Sequence, residues 1–207
     1  MRDLLNFVNC HDVKTALVYQ GARRIQPVKR LLACVCLWLA CDGLATAADN
    51  PVFSEYQVKA AFLRDFTLFT DWPTNAFAST NAPIVIGIVG ADPFGKTLDD
   101  LVKDDSVRGH PLVIKRLNSS DDLKGCQVLF ICRNEKEQMS ALLQKLKGSP
   151  VLTVGDNHGF AEQGGMVNFV LVEEKVKFEI NPAVTKQAGL QISAKALRLA
   201  VRIVQHD

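Results

Sequence analysis

Aromatic residues are few and the net charge is small in this chain of 207 residues. Phe, Trp and Tyr together make up 7% of it, and its formal net charge is +2 at pH 7. Residues 49–207 carry 18 Lys and Arg side chains against 19 Asp and Glu, so the slight positive excess lies in the first 48 residues. Proteins that bind nucleic acid usually present a basic patch, and the balanced charge argues against that class of partner.

Catalytic and metal-binding motifs are also lacking. No serine lies in a Gly-x-Ser-x-Gly elbow. His110, His158 and His206 are not spaced with one another or with a cysteine pair as zinc ligands are. The segment Asp156-Asn157-His158-Gly159 has the composition of a turn, in which Asp and Asn are common for backbone reasons. The sequence therefore predicts a protein that is not an enzyme and has no metal site or cofactor.

Cysteines are few beyond the N-terminal segment, since four of the six precede residue 42. The other two, Cys126 and Cys132, flank one predicted strand. A strand rises about 3.3 Å per residue, which places their Cα atoms roughly 20 Å apart. A disulfide requires a separation of about 7 Å or less. We therefore predict no disulfide, with both thiols free and buried.

The N-terminal segment has the pattern of an export signal. Basic residues between Arg23 and Arg30 precede the ten-residue apolar run Leu31–Ala40, and Ala45-Thr46-Ala47 supplies small residues for cleavage before Ala48. Ten apolar residues are too few to span a bilayer, which takes about 20. We predict an N-terminal extension and export signal over residues 1–47 and one exported domain over residues 48–207.

Two alternatives bear on this segment. Residues 1–27 are long for the charged part of a signal, which favours translation beginning near Val28. Trp38-Leu39-Ala40-Cys41 roughly resembles a bacterial lipobox, in which Cys41 would carry a lipid anchor. The predicted location is therefore the periplasm, with a lipid-anchored form as the alternative.

Short apolar strands alternate with segments of helical periodicity between residues 54 and 204. This order predicts an α/β fold with a mostly parallel twisted sheet, helices on both faces and a C-terminal antiparallel hairpin at the edge. The predicted strands are Ile84–Val89, Pro111–Leu117, Val128–Ile131, Val151–Val154, Met166–Val172 and Val176–Ile180. The continuous apolar run Met166–Val172 is typical of a strand that is covered on both faces.

Three helices are predicted before the C-terminal block. Ser54 and Gln57 form a capping box for the first, whose inward face is predicted to be Val58, Phe62, Phe66 and Phe69. The second is predicted to start at Asp92-Pro93, with Phe94, Leu98, Leu101 and Val102 inward. The third is predicted to be capped by Asn134, with Met139, Leu142, Leu143 and Leu146 inward.

The segment from Gly90 to Thr97 fits the phosphate-loop pattern G-x-x-x-x-G-K-[ST], with Gly90, Gly95, Lys96 and Thr97 at its key positions. It follows a buried strand and opens a helix, which is the correct context. However, Pro93 has no N–H to offer a phosphate, and Asp92 places a carboxylate where phosphate would lie. A nucleotide-binding enzyme is therefore retained only as an alternative.

The block from Phe160 to Ala200 is specified by local signals and contains no plausible catalytic group. Residues 173–175 are predicted to form the turn of the hairpin. Asn181-Pro182 starts a short helix that Gly189 stops. Ser193 can cap the last helix, with Ile192 and Leu197 spaced as a hydrophobic staple.

This block resembles the YfiR-like family of periplasmic proteins, and the resemblance extends over roughly Ser54 to Val204. The matching pieces are Gly164–Phe169, Phe178–Pro182, Gly189–Ser193, Leu197–Ala200, Lys59–Leu63 with Trp72-Pro73, Gly90–Gly95 and Cys126–Ile131. The resemblance implies a regulator that binds the periplasmic portion of a membrane signalling protein, typically a diguanylate cyclase or otherwise a sensor kinase, and keeps it inactive. It also implies a homodimer and allows an outer-membrane lipoprotein as a further partner.

Trp72 and Phe77 border the loop that follows the first helix. Aromatic residues are enriched where protein partners dock, so these two are the predicted partner-binding residues. A second alternative to the regulatory function is a periplasmic small-molecule binding protein. Its pocket would lie at the carboxyl ends of the strands, near Gly90 and Gly155.

Overall fold

The structure is a computed structural model that describes residues 54–123 and 125–204. Its α-helices are α1 (Glu55–Phe69), α2 (Lys96–Val102), α3 (Met139–Leu146), α4 (Pro182–Gln187) and α5 (Ala194–Leu199). Its strands are β1 (Thr70–Asp71), β2 (Ile84–Val89), β3 (Ser106–Val107), β4 (His110–Leu117), β5 (Val128–Ile131), β6 (Leu152–Gly155), β7 (Val167–Val172), β8 (Lys175–Ile180), β9 (Gln191–Ile192) and β10 (Arg202–Ile203).

One large sheet organises the described residues, with strand order β10-β8-β7-β6-β5-β2-β4-β3. The pairs from β7 through β6, β5 and β2 to β4 are all parallel. The β7–β8 hairpin is antiparallel, and so is β3 against β4 at the other end. The predicted fold class is confirmed, with the addition that the two-residue strand β10 pairs parallel to β8 outside the hairpin.

Helices cover both faces of the sheet because its central strands are apolar on both sides. One core contains side chains of α1, α2 and α5 packed on one face. The other contains the inward side chains of α3, namely Met139, Leu142, Leu143 and Leu146, as the sequence predicted.

Helix α1 begins as predicted, and its buried face extends beyond the predicted residues. Ser54 Oγ accepts from the Gln57 N–H, and the Ser54 N–H donates to Gln57 Oε1, which completes the capping box. The buried residues are Lys59, Ala60, Leu63, Phe66 and Thr67. Phe66 is buried, and Phe62 and Phe69, although only partly buried, pack against the same core, so the predicted face is confirmed at these three positions. Val58 is only partly buried. The tertiary packing turns the helix so that Lys59 faces inward.

Three other local predictions were wrong. Helix α2 starts at Lys96 rather than at Asp92, because Asp92 Oδ1 accepts from the Phe94 N–H in a preceding turn, and Leu101 is exposed. Asn134 does not cap α3, since it lies in a 3₁₀ turn and its Oδ1 accepts from the Ala91 N–H. The end of β7 is not covered on both faces, since Leu171 and Val172 are exposed.

The C-terminal block follows its local signals closely. Asn181 Oδ1 accepts from the Val184 N–H, Pro182 occupies the first turn of α4, and Gly189 has φ of 72° where the helix stops. Ser193 caps α5 through its side-chain oxygen. Strand β9 lies between these two helices and pairs antiparallel with β1, which brings the end of α1 next to the C-terminal block.

Candidate functional site

Trp72 and Phe77, the two predicted partner-binding residues, lie in the segment that leads from β1 to β2. Both are partly buried and pack against the core beneath α1. Pro73 ends the regular part of this segment, and Thr74–Ala76 forms a single 3₁₀ turn.

Gln127, immediately before β5, ties this segment to the sheet. The Trp72 indole Nε1 donates to the Gln127 carbonyl oxygen at 3.2 Å. Gln127 Nε2 donates to the carbonyl oxygen of Ala76 at 2.8 Å, while its Oε1 accepts from the Val85 N–H at 2.8 Å. A buried amide whose donors and acceptor are used in this way fixes the loop against strands β2 and β5.

Phe77 stacks on the ring of His110 at the start of β4. The ring centroids are 4.4 Å apart and the planes differ by 21°. His110 Nδ1 lies 2.6 Å from the Ala82 carbonyl oxygen, a geometry in which Nδ1 carries the proton and donates. The stacking and this hydrogen bond hold the C-terminal part of the β1–β2 segment against strand β4.

Between these two anchors lies a cleft of about 520 Å³, which we call the Trp72–Phe77 cleft. Ile84 and Val107, both buried, contribute to its lining together with the two aromatic rings. The hydroxyl groups of Thr74, Ser79 and Thr80 line it as well, and all three residues are exposed. A cleft lined by aromatic and apolar residues together with exposed polar ones suits an apolar side chain from a partner.

Arg108 lies at one end of this cleft. It forms an exposed ion pair with Asp71, and its guanidinium nitrogens lie 3.4 Å from the carbonyl oxygens of Leu68 and Thr70. Cations interact favourably with the last carbonyls of a helix, and here the helix is α1. Since Asp71 balances Arg108, this end of the cleft carries no large net charge.

A second polar cluster was missed by the sequence reasoning. Lys59 of α1 is 1% exposed and its Nζ lies 2.6 Å from Oδ2 of Asp156, whose side chain is fully buried. Lys59 also pairs with Glu55, one helical turn earlier. Arg133 Nε lies 3.1 Å from the same Asp156 oxygen and partly covers the cluster. A signal existed: Lys59 precedes the apolar residues Leu63 and Phe66 by four and seven positions, so it lies on the buried face of the helix.

Tyr56 completes this cluster, with its hydroxyl donating to Asp156 Oδ2 at 3.0 Å. Burial, and then the neighbouring Asp156 carboxylate, raise the pKa of Tyr56 to about 12. Because its folded-state pKa lies above the ordinary value of about 10, the resulting stabilisation is present at neutral pH. It is lost as the pH rises from 10 through 12. The cluster joins α1 to the end of β6. Its two cations, Lys59 and Arg133, balance its two carboxylates, Glu55 and Asp156.

Residues 90–97, which fit the phosphate-loop pattern, make contacts within the protein that leave no open phosphate cradle there. Asp92 accepts from the Phe94 N–H and from Arg116 Nε at 2.8 Å. Lys96 and Thr97 are exposed on a seven-residue helix. Above Gly90, a Cβ atom would lie 2.6 Å from Asn134 Oδ1. These contacts do not favour the nucleotide-binding alternative.

The contacts around Gly90 and Gly155 do not favour the predicted small-molecule pocket there either. Asn134 and Glu135 lie against Gly90, and the ring of Phe160 lies against Gly155, where a Cβ atom would be 2.6 Å from it. Side chains of the chain itself therefore fill both positions. The Trp72–Phe77 cleft lies elsewhere, beside β2, β3 and β4.

Cys126 and Cys132 are both free and buried at opposite ends of β5. Burial raises the pKa of the Cys126 thiol to about 11 and that of Cys132 to about 12, so both stay protonated at neutral pH. A protonated, inaccessible thiol is chemically inert. The absence of a disulfide between them stays a prediction.

Several predictions concern residues outside the described ranges. The cleavage site between Ala47 and Ala48, the alternative anchor Cys41 and His206 all lie there. Within residues 54–123 and 125–204, no three His, Cys, Asp or Glu side chains are grouped as metal ligands. No helix in the described part of the chain is long and apolar enough to cross a membrane.

Comparison with known proteins gives one family match. The family model described as YfiR/HmsC-like matches residues 56–201. No protein of curated function matches the chain.

Two solved structures resemble the fold at low sequence identity. A conserved domain protein from Vibrio cholerae O1 biovar El Tor str. N16961 has 13% identity and a TM-score of 0.49, over 73% of this chain and 61% of that one. An ABC domain from Streptococcus pneumoniae, in complex with L-Trp, has 10% identity and a TM-score of 0.48, over 72% of this chain and 60% of that one. The chain thus spans about three fifths of the length of both.

Proposed function

Since the YfiR/HmsC-like family model matches residues 56–201, the chain belongs to that family, and we propose that it is an exported regulatory binding protein. This family is one of periplasmic regulators of diguanylate cyclase signalling rather than of enzymes. We assign the periplasmic portion of a membrane-bound diguanylate cyclase as its partner, with a sensor kinase as the other class. Family membership is the observation that carries this proposal.

The Trp72–Phe77 cleft is the docking surface in this proposal. Its two aromatic rings are held by hydrogen bonding and by stacking, so they lose little conformational freedom when a partner binds. Its buried lining residues Ile84 and Val107 supply an apolar surface that an inserted side chain would cover. Preorganised aromatic residues in a concave apolar surface are typical of the few residues that carry most of the binding energy.

Regulation would work by binding and not by chemistry. A protein that binds one conformation of a signalling protein more tightly than the other shifts its population by the difference in affinity. In this proposal the chain binds the inactive form of the cyclase from the periplasmic side, and an envelope signal removes it. A homodimer is the proposed binding unit, and an outer-membrane lipoprotein is a candidate for the partner that removes it.

A genetic experiment tests the proposal. Deleting the gene should raise intracellular cyclic-di-GMP and surface attachment, and restoring the full chain should reverse both changes. A form that lacks residues 1–47 should not restore them, because it does not meet the periplasmic face of the partner. Unchanged cyclic-di-GMP in a deletion strain that expresses the candidate cyclase contradicts the proposal, and so does full complementation by the truncated form.

A matched pair of variants tests the docking surface. Ser79→Arg places a large side chain in the lining of the Trp72–Phe77 cleft, where Ser79 is exposed, and should abolish complementation without unfolding the protein. Ser140→Arg makes the same change at an exposed serine of α3 and should complement like the unchanged chain. Equal complementation by both variants would exclude the cleft while leaving the regulatory function in place.

A further inference from the structure

The two aromatic rings of the Trp72–Phe77 cleft are carried by the β1–β2 segment, residues 72–83. This segment has one 3₁₀ turn, over Thr74–Ala76, and otherwise irregular backbone. Backbone that lacks the hydrogen bonds of a long helix or a sheet needs other partners to keep one conformation. The positions of both rings therefore depend on a few specific contacts with the sheet.

The backbone of Gln127, immediately before β5, is itself part of that sheet. Its N–H donates to the Val85 carbonyl oxygen at 3.0 Å, and its carbonyl oxygen accepts from the Leu152 N–H at 2.8 Å. The same carbonyl oxygen accepts from the Trp72 indole at 3.2 Å. Gln127 is thus fixed between β2 and β6, and the contact with Trp72 starts from a rigid part of the fold.

The side-chain amide of Gln127 links the sheet to the turn between the two rings. Its Oε1 accepts from the Val85 N–H, and its Nε2 donates to the Ala76 carbonyl oxygen. A backbone N–H can only donate and a carbonyl can only accept, so these two partners determine which end of the amide faces which. Ala76 is the last residue of the turn and directly precedes Phe77. The amide therefore ties the approach to Phe77 to strand β2.

We propose that Gln127 is a positioning residue of the Trp72–Phe77 cleft: its carbonyl oxygen orients Trp72, and its amide holds the turn that leads to Phe77. Gln127 is buried, and the described residues that line the cleft do not include it, so it acts through the rings. Rings that are held before a partner arrives lose less conformational freedom on binding. The inference rests on the proposed function, because it concerns the surface to which the partner docks.

Glutamate at this position separates hydrogen bonding from shape. An ionised carboxylate can accept from the Val85 N–H but has no donor for the Ala76 carbonyl oxygen, whereas a protonated carboxyl has one O–H that can donate to it. Gln127→Glu should therefore release the turn in alkaline solution and hold it again in acid. Burial raises the pKa of such a carboxyl, so the return should begin above the ordinary value of about 4.3.

Quenching of tryptophan fluorescence by acrylamide measures how far a small solute reaches Trp72. The chain has two tryptophans, Trp38 and Trp72, so Trp38→Phe in every protein leaves Trp72 as the only one. Gln127→Glu should be quenched more than this parent at about pH 9 and should return towards it at about pH 5. Gln127→Met has a similar volume and no amide, and should be quenched more at both pH values.

Two controls accompany this measurement. Gln144→Glu makes the same chemical change at an exposed position of α3, and its quenching should match the parent at both pH values. The parent is measured at both pH values as well, because the charged or titratable side chains Asp71, Arg108 and His110 line the cleft. Circular dichroism should show that all variants are folded.

Complementation of the deletion strain then tests whether the position of the rings matters for docking. Gln127→Met should leave cyclic-di-GMP at the level of the deletion strain, and Gln144→Glu should restore it to the level of the unchanged chain. If quenching rises but Gln127→Met still complements, Gln127 positions Trp72 and the cleft fails as the docking surface.

The proposal is overturned if folded Gln127→Met is quenched no more than the parent. If Gln127→Met does not fold, Gln127→Glu decides the matter. Quenching of Gln127→Glu that is the same at both pH values, or that changes as much in the parent, then contradicts the proposal. A return to the parent value in acid that the parent itself does not show supports it.

Discussion

Lys59 and Asp156 are both charged and both buried, and each depends on the other. Lys59 Nζ also lies 4.5 Å from the centre of the Tyr56 ring, which adds a cation–π contact. Removing two charges from water costs several kcal/mol, and their attraction offsets this only when the geometry and the surrounding hydrogen bonds are good. Tyr56, Glu55 and Arg133 supply those additional contacts.

At the residue scale we predict that Asp156→Asn lowers the free energy of unfolding by about 3 kcal/mol or more, because it leaves Lys59 without its fully buried carboxylate partner. The double change Lys59→Met with Asp156→Leu should cost less, since no unpaired charge remains. Urea denaturation of the folded protein measures both values.

The matched control is the exposed ion pair between Arg108 and Asp71. Asp71→Asn should change the free energy of unfolding by about 1 kcal/mol or less, as is typical of surface pairs. Comparable losses for Asp156→Asn and Asp71→Asn would mean that water reaches Lys59 in the folded protein.

The β7–β8 hairpin shows how a single element can carry local strain. Its two turn residues, Glu173 and Glu174, have φ of 50° and 61°. Two-residue hairpin turns of this kind favour Asn-Gly because both positions require positive φ. The sequence predicted the turn at the right place from its position between two strands, without the usual turn residues. Pairing of six residue pairs along the hairpin stabilises the turn despite its composition.

At the element scale we predict that Glu174→Gly raises the free energy of unfolding by about 0.5–1 kcal/mol, since glycine adopts positive φ without steric cost. Glu137→Gly is the control: Glu137 is also exposed in a turn but is not among the described residues with positive φ. It should be neutral or destabilising. Thermal melting of both variants decides the matter, and stabilisation by Glu137→Gly would point to charge removal as the cause.

For the whole molecule, the proposed function depends on export, since the partner's exposed portion lies outside the cytoplasm. The N-terminal basic residues, the ten-residue apolar run and the small residues before Ala48 are the sequence features that predict it. The charge balance of residues 49–207 fits a protein that contacts other proteins rather than nucleic acid.

At this scale we predict that the exported protein begins at Ala48 or within a residue or two of it. Intact mass spectrometry of the protein recovered from the periplasm measures its N-terminus directly. Ala47→Leu should block or displace cleavage because the cleavage site requires small residues. A lipid-modified N-terminal Cys41 would instead establish the anchored alternative.

Local patterns were sufficient for most elements of the described chain. Strand β2 has the predicted bounds, Ile84–Val89, because an unbroken apolar run of this length is typical of a strand that is buried on both faces. The caps at Ser54, Asn181 and Ser193 were predicted because a cap and its partner lie within three residues of each other. Alternation of strands and helices then determined the fold class, since parallel strands need helical connections.

The tertiary structure decided which distant residues meet. Lys59 and Asp156 are 97 positions apart, and Trp72 and Gln127 are 55 apart. No periodicity in the sequence links such pairs, so the charge cluster was missed, and with it the burial of Lys59 in α1. Strand order likewise placed β10 at one edge and the Trp72–Phe77 cleft near the other. The physical reason is that caps and turns depend on neighbours within a few residues, whereas burial, strand order and ion pairing depend on packing of the whole domain.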